Sequence, residues 1–324
     1  NRLLHLDICI FRLGFFYYGT KSFYLDLMKI SEKFIVGSEY LNTRIDRWLK
    51  SKVHKFHQSF IEKSLRSGKI KVNSKKIKSS YKLQIGDEVL VNIDYQDQEE
   101  NKKFSYKASL YEHKEITNNI IFENQDYMIL NKPAGIAVQS GSKSPKNVID
   151  ILNKFSENKK FYLVHRIDKD TSGLIIFACN RPFAQFLSEQ FRNKTIKKSY
   201  LAILHGSLPY HEGTLEHDLT FKEKNQVKTF KAETDFFVLS KNNNFSYVQA
   251  SPITGRKHQL RQQFFKINNP IVGDNKYYNP HYKNKDDYLM LHSHEITFSY
   301  NGKDKTYKTE PPIQFKNFLK ESSL

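Results

Sequence analysis

Between residues 43 and 92, apolar positions change from a helical to a strand spacing. Apolar residues first recur at intervals of three and four in two stretches, which predicts two short helices. They are Ile45, Trp48 and Leu49, then Phe60, Ile61 and Leu65. The runs 70–72 and 88–91 predict two strands, and residues 85–87 form a turn before the second. This pattern describes a compact module of two helices and a small sheet.

After residue 108, short β-branched and aromatic runs outnumber the helical stretches. Nine runs predict strands: 120–122, 128–130, 162–164, 174–178, 201–204, 236–239, 247–250, 289–291 and 296–300. Helices are predicted at 147–155, 182–194 and 257–267. Because strands and helices do not alternate regularly, we predict an α+β domain with a large mixed, mainly antiparallel sheet flanked by helices.

A polar, highly charged stretch separates the two regions and predicts a linker. We therefore divide the chain into an N-terminal extension at 1–37, a basic module at 38–93, a linker at 94–107 and a larger domain at 108–324. The first methionine is Met28, so residues 1–27 are expected to lie upstream of a plausible start.

The charge of the chain points to a polyanionic partner. Lysine and arginine number 52 against 34 acidic residues, a net charge of +18. Residues 43–92 alone carry thirteen basic and four acidic residues, a net charge of +9. A surface of this kind suits nucleic acid. A membrane partner is disfavoured, because no apolar run reaches 18 residues and the lysines do not flank an anchor.

Two cysteines, Cys9 and Cys179, are too few for a disulfide framework or a cysteine-based zinc site. This favours a reducing compartment, the cytoplasm. The pairs His54/His57 and His292/His294 supply half a metal site at best. Phosphate-binding glycine loops are also lacking, so an enzyme of this sequence is expected to need neither metal nor cofactor.

Residues 165–173, HRIDKDTSG, form a polar loop between two apolar runs. Such a loop serves either as a plain hairpin turn or as a site presented by a sheet. A glycosidase pair of Asp168 and Asp170 is disfavoured, because near neighbours on one short loop rarely flank a bond. A zinc deaminase is excluded, because only its H-x-E element has a match, at 113–115.

Four ordered blocks resemble the RluA family of RNA pseudouridine synthases. The loop at 165–173 resembles the H-R-[LI]-D-x-x-T-S-G signature of that family. The other blocks are NKPAG at 131–135, KSYLA at 198–202 with Gly206, and TGRKHQLR at 254–261 with PIVGD at 270–274 and Tyr277. The likeness extends from Ser38 to Phe318.

The basic module resembles the S4 RNA-binding domain. The matching segments are RIDRWL at 44–49, SLRSG at 64–68 and VN at 72–73. An S4 module ahead of this catalytic domain is most similar to the RluC and RluD branch of the family.

The resemblance implies roles for particular residues. Asp168 is the expected catalytic carboxylate, acting either as a nucleophile at C1′ or as a base at C2′. Arg261 is expected to pair with Asp168, and Tyr200 to stack on the flipped uracil. Arg166 is expected to fill the place that the base vacates. The further RNA contacts expected are Lys132, His165, Arg256 and Lys257 in the larger domain and Arg44, Arg47, Arg66 and Lys69 in the basic module.

The implied function is the cofactor-free isomerisation of uridines to pseudouridine in 23S-type large-subunit ribosomal RNA or its assembly intermediates, by a monomer. Two alternatives remain open from the sequence. One is a synthase for transfer RNA or another RNA. The other is a non-catalytic RNA-binding protein of ribosome assembly that keeps the fold.

Overall fold

The structure is a computed structural model of the chain. It describes residues 27–54, 56–96, 106, 108–140, 144–156, 159–223, 226–282 and 288–324. The start of the predicted extension, most of the predicted linker and Cys9 lie outside the described residues. The chain divides into two compact units, Asn1–Lys103 and Phe104–Leu324. We call them the N-terminal and the C-terminal unit.

The N-terminal unit contains a three-stranded antiparallel sheet in the order β1-β3-β2. Its strands are β1 (Leu27–Ile35), β2 (Ile70–Val72) and β3 (Glu88–Gln96). Its helices are α1 (Ile45–Trp48), which continues into a π turn at Leu49–Val53, and α2 (Gln58–Ser67), and a 3-10 turn lies at Ser38–Tyr40. The helical and strand faces predicted from spacing meet in one core, in which Trp48 and Ile61 are fully buried.

The predicted boundaries of the basic module need correction. Strand β1, assigned above to the extension, pairs with β3 along its whole length. Strand β3 in turn runs through Gln96, into the predicted linker. The reason is that Val89, Val91, Ile93 and Tyr95 alternate along β3 and are all buried, so one face of β3 stays in the core well beyond residue 91.

The C-terminal unit confirms the α+β prediction with a ten-stranded mixed sheet. The main order is β4-β5-β7-β12-β8-β11-β10-β9, with β13 paired to β12 and β6 to β7. The pair β7 and β12 is parallel, and the other pairs of this sheet are antiparallel. The strands are β4 (Ile120–Glu123), β5 (Tyr127–Lys132), β6 (Tyr162–Leu163), β7 (Ser172–Ala178), β8 (Lys197–His205), β9 (Glu212–Glu223), β10 (Gln226–Lys241), β11 (Phe245–Pro252), β12 (Leu291–Tyr300) and β13 (Lys303–Lys308).

The described residues of this unit form the helices α3 (Leu110–Thr117), α4 (Val148–Lys154), α5 (Arg181–Arg192), α6 (Gln259–Lys266) and α7 (Ile313–Glu321). Of these, α4, α5 and α6 correspond to the three helices predicted from sequence. The sequence does not predict α3, whose apolar face is short, or α7. Nor does it predict β9 and β13, because both strands are largely exposed and carry few apolar residues. The predicted runs at 289–291 and 296–300 meet in one strand, β12, which begins at Leu291.

Gly173 allows β7 and β12 to pair closely at the centre of the sheet. It has φ +104°, and a Cβ built there lies 2.3 Å from the carbonyl oxygen of Ser293. Any side chain at this position collides with the backbone of the neighbouring strand. Because Gly173 is the last residue of the 165–173 loop, it also fixes where that loop meets the sheet.

We expect Gly173→Ala to destabilise the protein far more than Gly302→Ala. Both positions have a left-handed φ, but a Cβ at Gly302 meets nothing within 4 Å. The Gly302→Ala change is expected to cost about 1 kcal/mol of unfolding free energy, and Gly173→Ala about 1–3 kcal/mol more from backbone collision. Denaturant unfolding of the two variants measures the difference, and equal decreases would contradict the close approach.

Candidate active site

A cleft of about 630 Å³ opens in the C-terminal unit. It is lined mainly by the loop before β7, the end of α5, the start of β8 and the loop leading into α6. The cleft is lined by all three residues expected to be catalytic, Asp168, Tyr200 and Arg261. These residues lie up to 93 positions apart in the sequence. The volume falls in the usual range of small-ligand sites, so the cleft can hold a nucleoside.

Arg261 is anchored to a second carboxylate that sequence reasoning did not single out. Its Nε and Nη2 atoms each donate a hydrogen bond of 2.7 Å to the two oxygens of Asp274. Asp274 is fully buried and also accepts the backbone N–H groups of Lys276 and Tyr277. Burial opposes the charge on Arg261, but the bonds to Asp274 raise its pKa above the usual value. The guanidinium is therefore a fixed positive charge.

The remaining nitrogen of this guanidinium faces Asp168. Nη1 of Arg261 lies 3.6 Å from Oδ2 of Asp168, an ion-pair distance that is too long for a direct hydrogen bond. On the other side, Nε2 of His258 lies 3.7 Å from Oδ1 of Asp168. The carboxylate, about one-fifth exposed, thus stands between an arginine and a histidine in the cleft.

His258 adopts a left-handed conformation, φ +51°, at the residue before α6. Its Nδ1 atom is 3.1 Å from the hydroxyl of Tyr277, which fixes the ring. Burial lowers the pKa of His258, Arg261 and nearby lysines add to that effect, and Asp168 opposes it. This shift favours the neutral imidazole, whose Nε2 atom faces Asp168.

Tyr200 contributes a ring to the same cleft from strand β8. Burial raises the pKa of Tyr200 to about 12, a contact with Ser293 acts in the other direction, and Asp168 raises it further. The phenol is protonated at neutral pH. A neutral aromatic ring in this position suits stacking on a base.

Lys132 does not contact phosphate, and the expectation above is wrong for this residue. Its side chain is 0% exposed. Nζ donates hydrogen bonds to the carbonyl oxygens of Pro133, Ile136 and Lys169, at 2.7, 3.0 and 3.0 Å. Three donors meeting three acceptors satisfy the ammonium without RNA. Lys132 instead ties the turn after β5 to the loop that carries Asp168.

Stability should depend on the titration of Lys132. Burial lowers its pKa to about 7 from an ordinary 10.5, although Asp170 and Asp168 oppose the shift. The folded chain thus binds fewer protons than the unfolded chain between pH 7 and about 10, and its unfolding free energy rises with pH there. We expect the stability difference between wild type and Lys132→Met to grow with pH in this window, as followed by denaturant unfolding. Lys169→Met, which removes an exposed lysine from the loop that carries Asp168, is the control for loss of one charge. A difference that stays constant with pH would contradict a buried, titrating Lys132.

His165 belongs to the wall of the cleft rather than to its exposed rim. Its Nε2 accepts the backbone N–H of Ile176 at 3.0 Å, and its ring stacks on Phe191 with centroids 4.6 Å apart. Burial lowers the pKa of His165 to about 3, and Lys198 adds to the shift. An RNA contact by His165 can therefore involve only its neutral ring.

Arg166, Arg256 and Lys257 lie exposed along the cleft, as their predicted contact with RNA requires. Arg256 is held in place, because its Nε donates to the carbonyl of Lys231 at 3.1 Å. In the N-terminal unit the four predicted contacts, Arg44, Arg47, Arg66 and Lys69, are likewise exposed. Arg44 makes two hydrogen bonds to Asp46, so part of its charge is already paired within the protein.

Three residues of the site are not predicted from the sequence: His258, Asp274 and Tyr277. All three fall inside the sequence blocks that resemble the RluA family, and this resemblance is the one sign in the sequence that they belong to the site. Their spacing does not predict that they lie near Asp168, which is 90 positions before His258. Among the described residues, no group of three or more His, Cys, Asp or Glu side chains is placed to hold a metal ion. Nor does a helix of the described part have the length and apolar character needed to cross a membrane.

Comparison with known proteins agrees with the geometry. A family model described as RNA pseudouridylate synthase matches residues 126–266. The chain is 36% identical over 311 residues to the ribosomal large subunit pseudouridine synthase C of Buchnera aphidicola subsp. Acyrthosiphon pisum, covering 88% of this chain and 95% of that protein. It is 33% identical over 293 residues to the protein of the same name from Vibrio parahaemolyticus, with coverage of 87% and 92%.

Among solved structures, the human RNA pseudouridylate synthase domain containing 4 has the same fold. The TM-score is 0.56 at 24% identity, over 65% of this chain and 95% of that one. This likeness concerns the fold, and the sequence relatives confirm the resemblance to the RluA family. The chain belongs to the RluA family of RNA pseudouridine synthases, and over most of its length it is similar to proteins named ribosomal large subunit pseudouridine synthase C.

Proposed function

We propose that this enzyme converts uridines of large-subunit ribosomal RNA to pseudouridine, with Asp168 as the catalytic carboxylate. The observation that carries the proposal is the placement of Asp168 between Arg261 and His258 in a cleft of nucleoside size. Relatives named ribosomal large subunit pseudouridine synthase C match most of the chain, which supports this substrate.

The reaction is an isomerisation, so it needs no oxidant or reductant. The bond from N1 to C1′ breaks, the base turns, and C5 bonds to C1′. The hydrogen on C5 leaves, and N1 gains one. An ionised Asp168 can start this sequence either by attacking C1′ or by removing the proton at C2′. Both routes use a negatively charged carboxylate, and the guanidinium of Arg261, itself fixed by Asp274, lies beside it.

The other residues of the cleft fit supporting roles in this proposal. Tyr200 would stack on the flipped uracil, and Arg166 would take the vacated place in the RNA stack. The cleft is built from one chain, so we propose a monomer as the working unit. We place the reaction in the cytoplasm, where the proposed substrate is found, and propose that no cofactor takes part.

We also propose that the N-terminal unit is an S4-like module that holds ribosomal RNA by its phosphates. Its exposed cations support the idea. Each phosphate contact made by a lysine or arginine adds to the salt dependence of binding. In the full-length chain, Arg66→Gln with Lys69→Gln is therefore expected to lower affinity and to reduce the log–log salt slope by about 1 for each phosphate that is no longer neutralised.

Titration of a ribosomal RNA fragment at several salt concentrations measures this slope. Lys159→Gln and Lys316→Gln, which remove exposed lysines of the C-terminal unit away from the cleft, are the matched control. These lysines already pair with Glu123 and Glu310. A salt slope unchanged by the N-terminal pair would count against the S4-like role.

The substrate is tested with purified protein and two unmodified transcripts, a large-subunit ribosomal RNA and a mixture of transfer RNAs. Uridines carry tritium at C5, so each isomerisation releases one tritium to water. Release from the ribosomal transcript at a few sites supports the proposal. Release from transfer RNA alone would replace the substrate, and release from neither with intact RNA binding would favour a non-catalytic role.

A further inference from the structure

A second cavity, of about 440 Å³, adjoins the catalytic cleft. The two share Gly255, Arg256 and Lys257 as a common wall. The second cavity is otherwise lined by the β9–β10 hairpin, by Gln262 of α6 and by Lys276 and Tyr277. Its walls contain no part of Asp168 or Tyr200, so it is a separate space next to the proposed reaction centre.

The hairpin wall carries apolar side chains beyond the end of the core. Along β9 and β10, alternate residues such as Leu219 and Ala232 are buried under α6. Phe221 and Phe230 continue this inward-facing series, but they line the second cavity instead of the core. Phe230 keeps 36% of its surface exposed. An inward-facing aromatic pair that stays open to solvent suggests a ligand with a flat apolar face.

The opposite wall combines cations with another ring. The guanidinium carbon of Arg256 lies 5.1 Å from the centre of the Phe230 ring. Nζ of Lys276 lies 4.9 Å from the centre of the Tyr277 ring. Aromatic rings and guanidinium planes stack on bases, while lysine and arginine bind phosphates. This mixture matches a nucleotide better than an uncharged metabolite.

We propose that the second cavity binds a single-stranded nucleotide next to the target uridine, with its base stacked on the Phe230–Arg256 pair. Because Arg256 and Lys257 line both cavities, a phosphate held there belongs to an RNA strand that continues from one cavity into the other. The site would help to choose which uridine is modified. This inference rests on the proposed synthase function and adds a contact outside its reaction centre.

The same wall connects the two spaces mechanically. The hydroxyl of Tyr277 bonds to His258, which faces Asp168, and its ring lies 5.5 Å from the guanidinium carbon of Arg261. A base bound in the second cavity, which Tyr277 lines, would therefore contact the residue that holds His258 beside Asp168. Occupation of the second cavity should mainly improve binding and secondarily steady the reaction centre.

The test uses the full-length protein and a short ribosomal RNA that it modifies, with the base of the 5′ or the 3′ neighbour of the target removed in separate RNAs. We expect wild type to bind one of the two abasic RNAs about tenfold more weakly than the intact RNA, because the stacking of one base is lost. Phe230→Ala is expected to bind intact RNA about tenfold more weakly as well. Its affinity should no longer change when the neighbouring base is removed.

Two further variants keep the result interpretable. Phe237→Ala removes a phenylalanine that is 50% exposed on the opposite face of the same strand, and it should behave as wild type. Phe230→Trp keeps a stacking surface and should restore both affinity and sensitivity to the abasic site. Single-turnover rates at saturating protein should fall little in Phe230→Ala, since Asp168 and Tyr200 remain in place.

The outcomes separate this inference from the proposed function. Failure of wild type to release tritium from any intact RNA refutes the proposed function before the second cavity is tested. If intact RNA reacts, but both abasic RNAs bind wild type as tightly as intact RNA, the nucleotide site is refuted. Equal abasic penalties in wild type and Phe230→Ala would likewise refute it, because Phe230 would not be the stacking partner.

Discussion

Replacing Asp168 with asparagine is expected to abolish tritium release while leaving RNA binding intact. The amide keeps the size of the side chain but can neither attack C1′ nor take the proton from C2′. Removal of a group essential for catalysis typically lowers the rate by at least about 10⁴-fold. Affinity should stay within about twofold of wild type, because phosphate contacts dominate binding. Single-turnover kinetics and a mobility shift on the same RNA give the two values.

Asp170→Asn is the matched control, since Asp170 is an exposed carboxylate two residues further along the same loop. It removes the same charge from the same segment and should keep most of the activity. Comparable decreases in the two variants would mean that the loop needs acidity in general and not one catalytic carboxylate. Full activity of Asp168→Asn would refute the mechanism.

The second large effect is expected at Arg261. Arg261→Met leaves Asp274 buried without its main cation, and breaking a buried pair in this way costs about 3–5 kcal/mol of unfolding free energy. Arg261→Lys keeps the charge, but an ammonium cannot make two parallel bonds to Asp274 and still reach Asp168. We expect Arg261→Lys to stay folded and to lower the single-turnover rate constant about 10²–10³-fold, as for removal of one electrostatic partner of the reacting group.

Thermal and denaturant unfolding separate the stability effect from the catalytic one. Arg192→Met, at an exposed arginine at the end of α5 that also lines the cleft, should change stability by no more than about 0.5 kcal/mol. A fully active Arg261→Lys would show that the planar guanidinium is not required. A fully stable Arg261→Met would show that Asp274 does not depend on Arg261.

The parts of the fold that can be predicted well from sequence are those with a strong apolar pattern. Strand β7 is predictable because it is buried on both faces, and helix α5 because Pro182 opens it and its apolar residues share one face. Strand β9 escapes prediction because most of its residues face solvent. The true length of β10, Gln226–Lys241, is hidden because only its central run is apolar.

Only part of the chemistry of the site can be predicted from the sequence. Asp168 can be located because an unusual polar loop and a family signature coincide there. Arg261 is expected to pair with Asp168, but its burial and its bonds to Asp274, a partner 13 positions later, are not predicted. Lys132 resembles a phosphate contact because lysines in loops are commonly exposed. Its three carbonyl partners come together only in the folded chain, so no local pattern reveals them.

The proposal that this chain forms pseudouridine in large-subunit ribosomal RNA through Asp168 can be tested in cells that lack the gene. Pseudouridines of their ribosomal RNA are mapped with carbodiimide and reverse transcription. The cells are complemented with wild type, Asp168→Asn or Asp170→Asn. We expect specific large-subunit sites to disappear without the gene, to return with wild type or Asp170→Asn, and not to return with Asp168→Asn. Unchanged ribosomal sites in the deletion, or their return with Asp168→Asn, would contradict it.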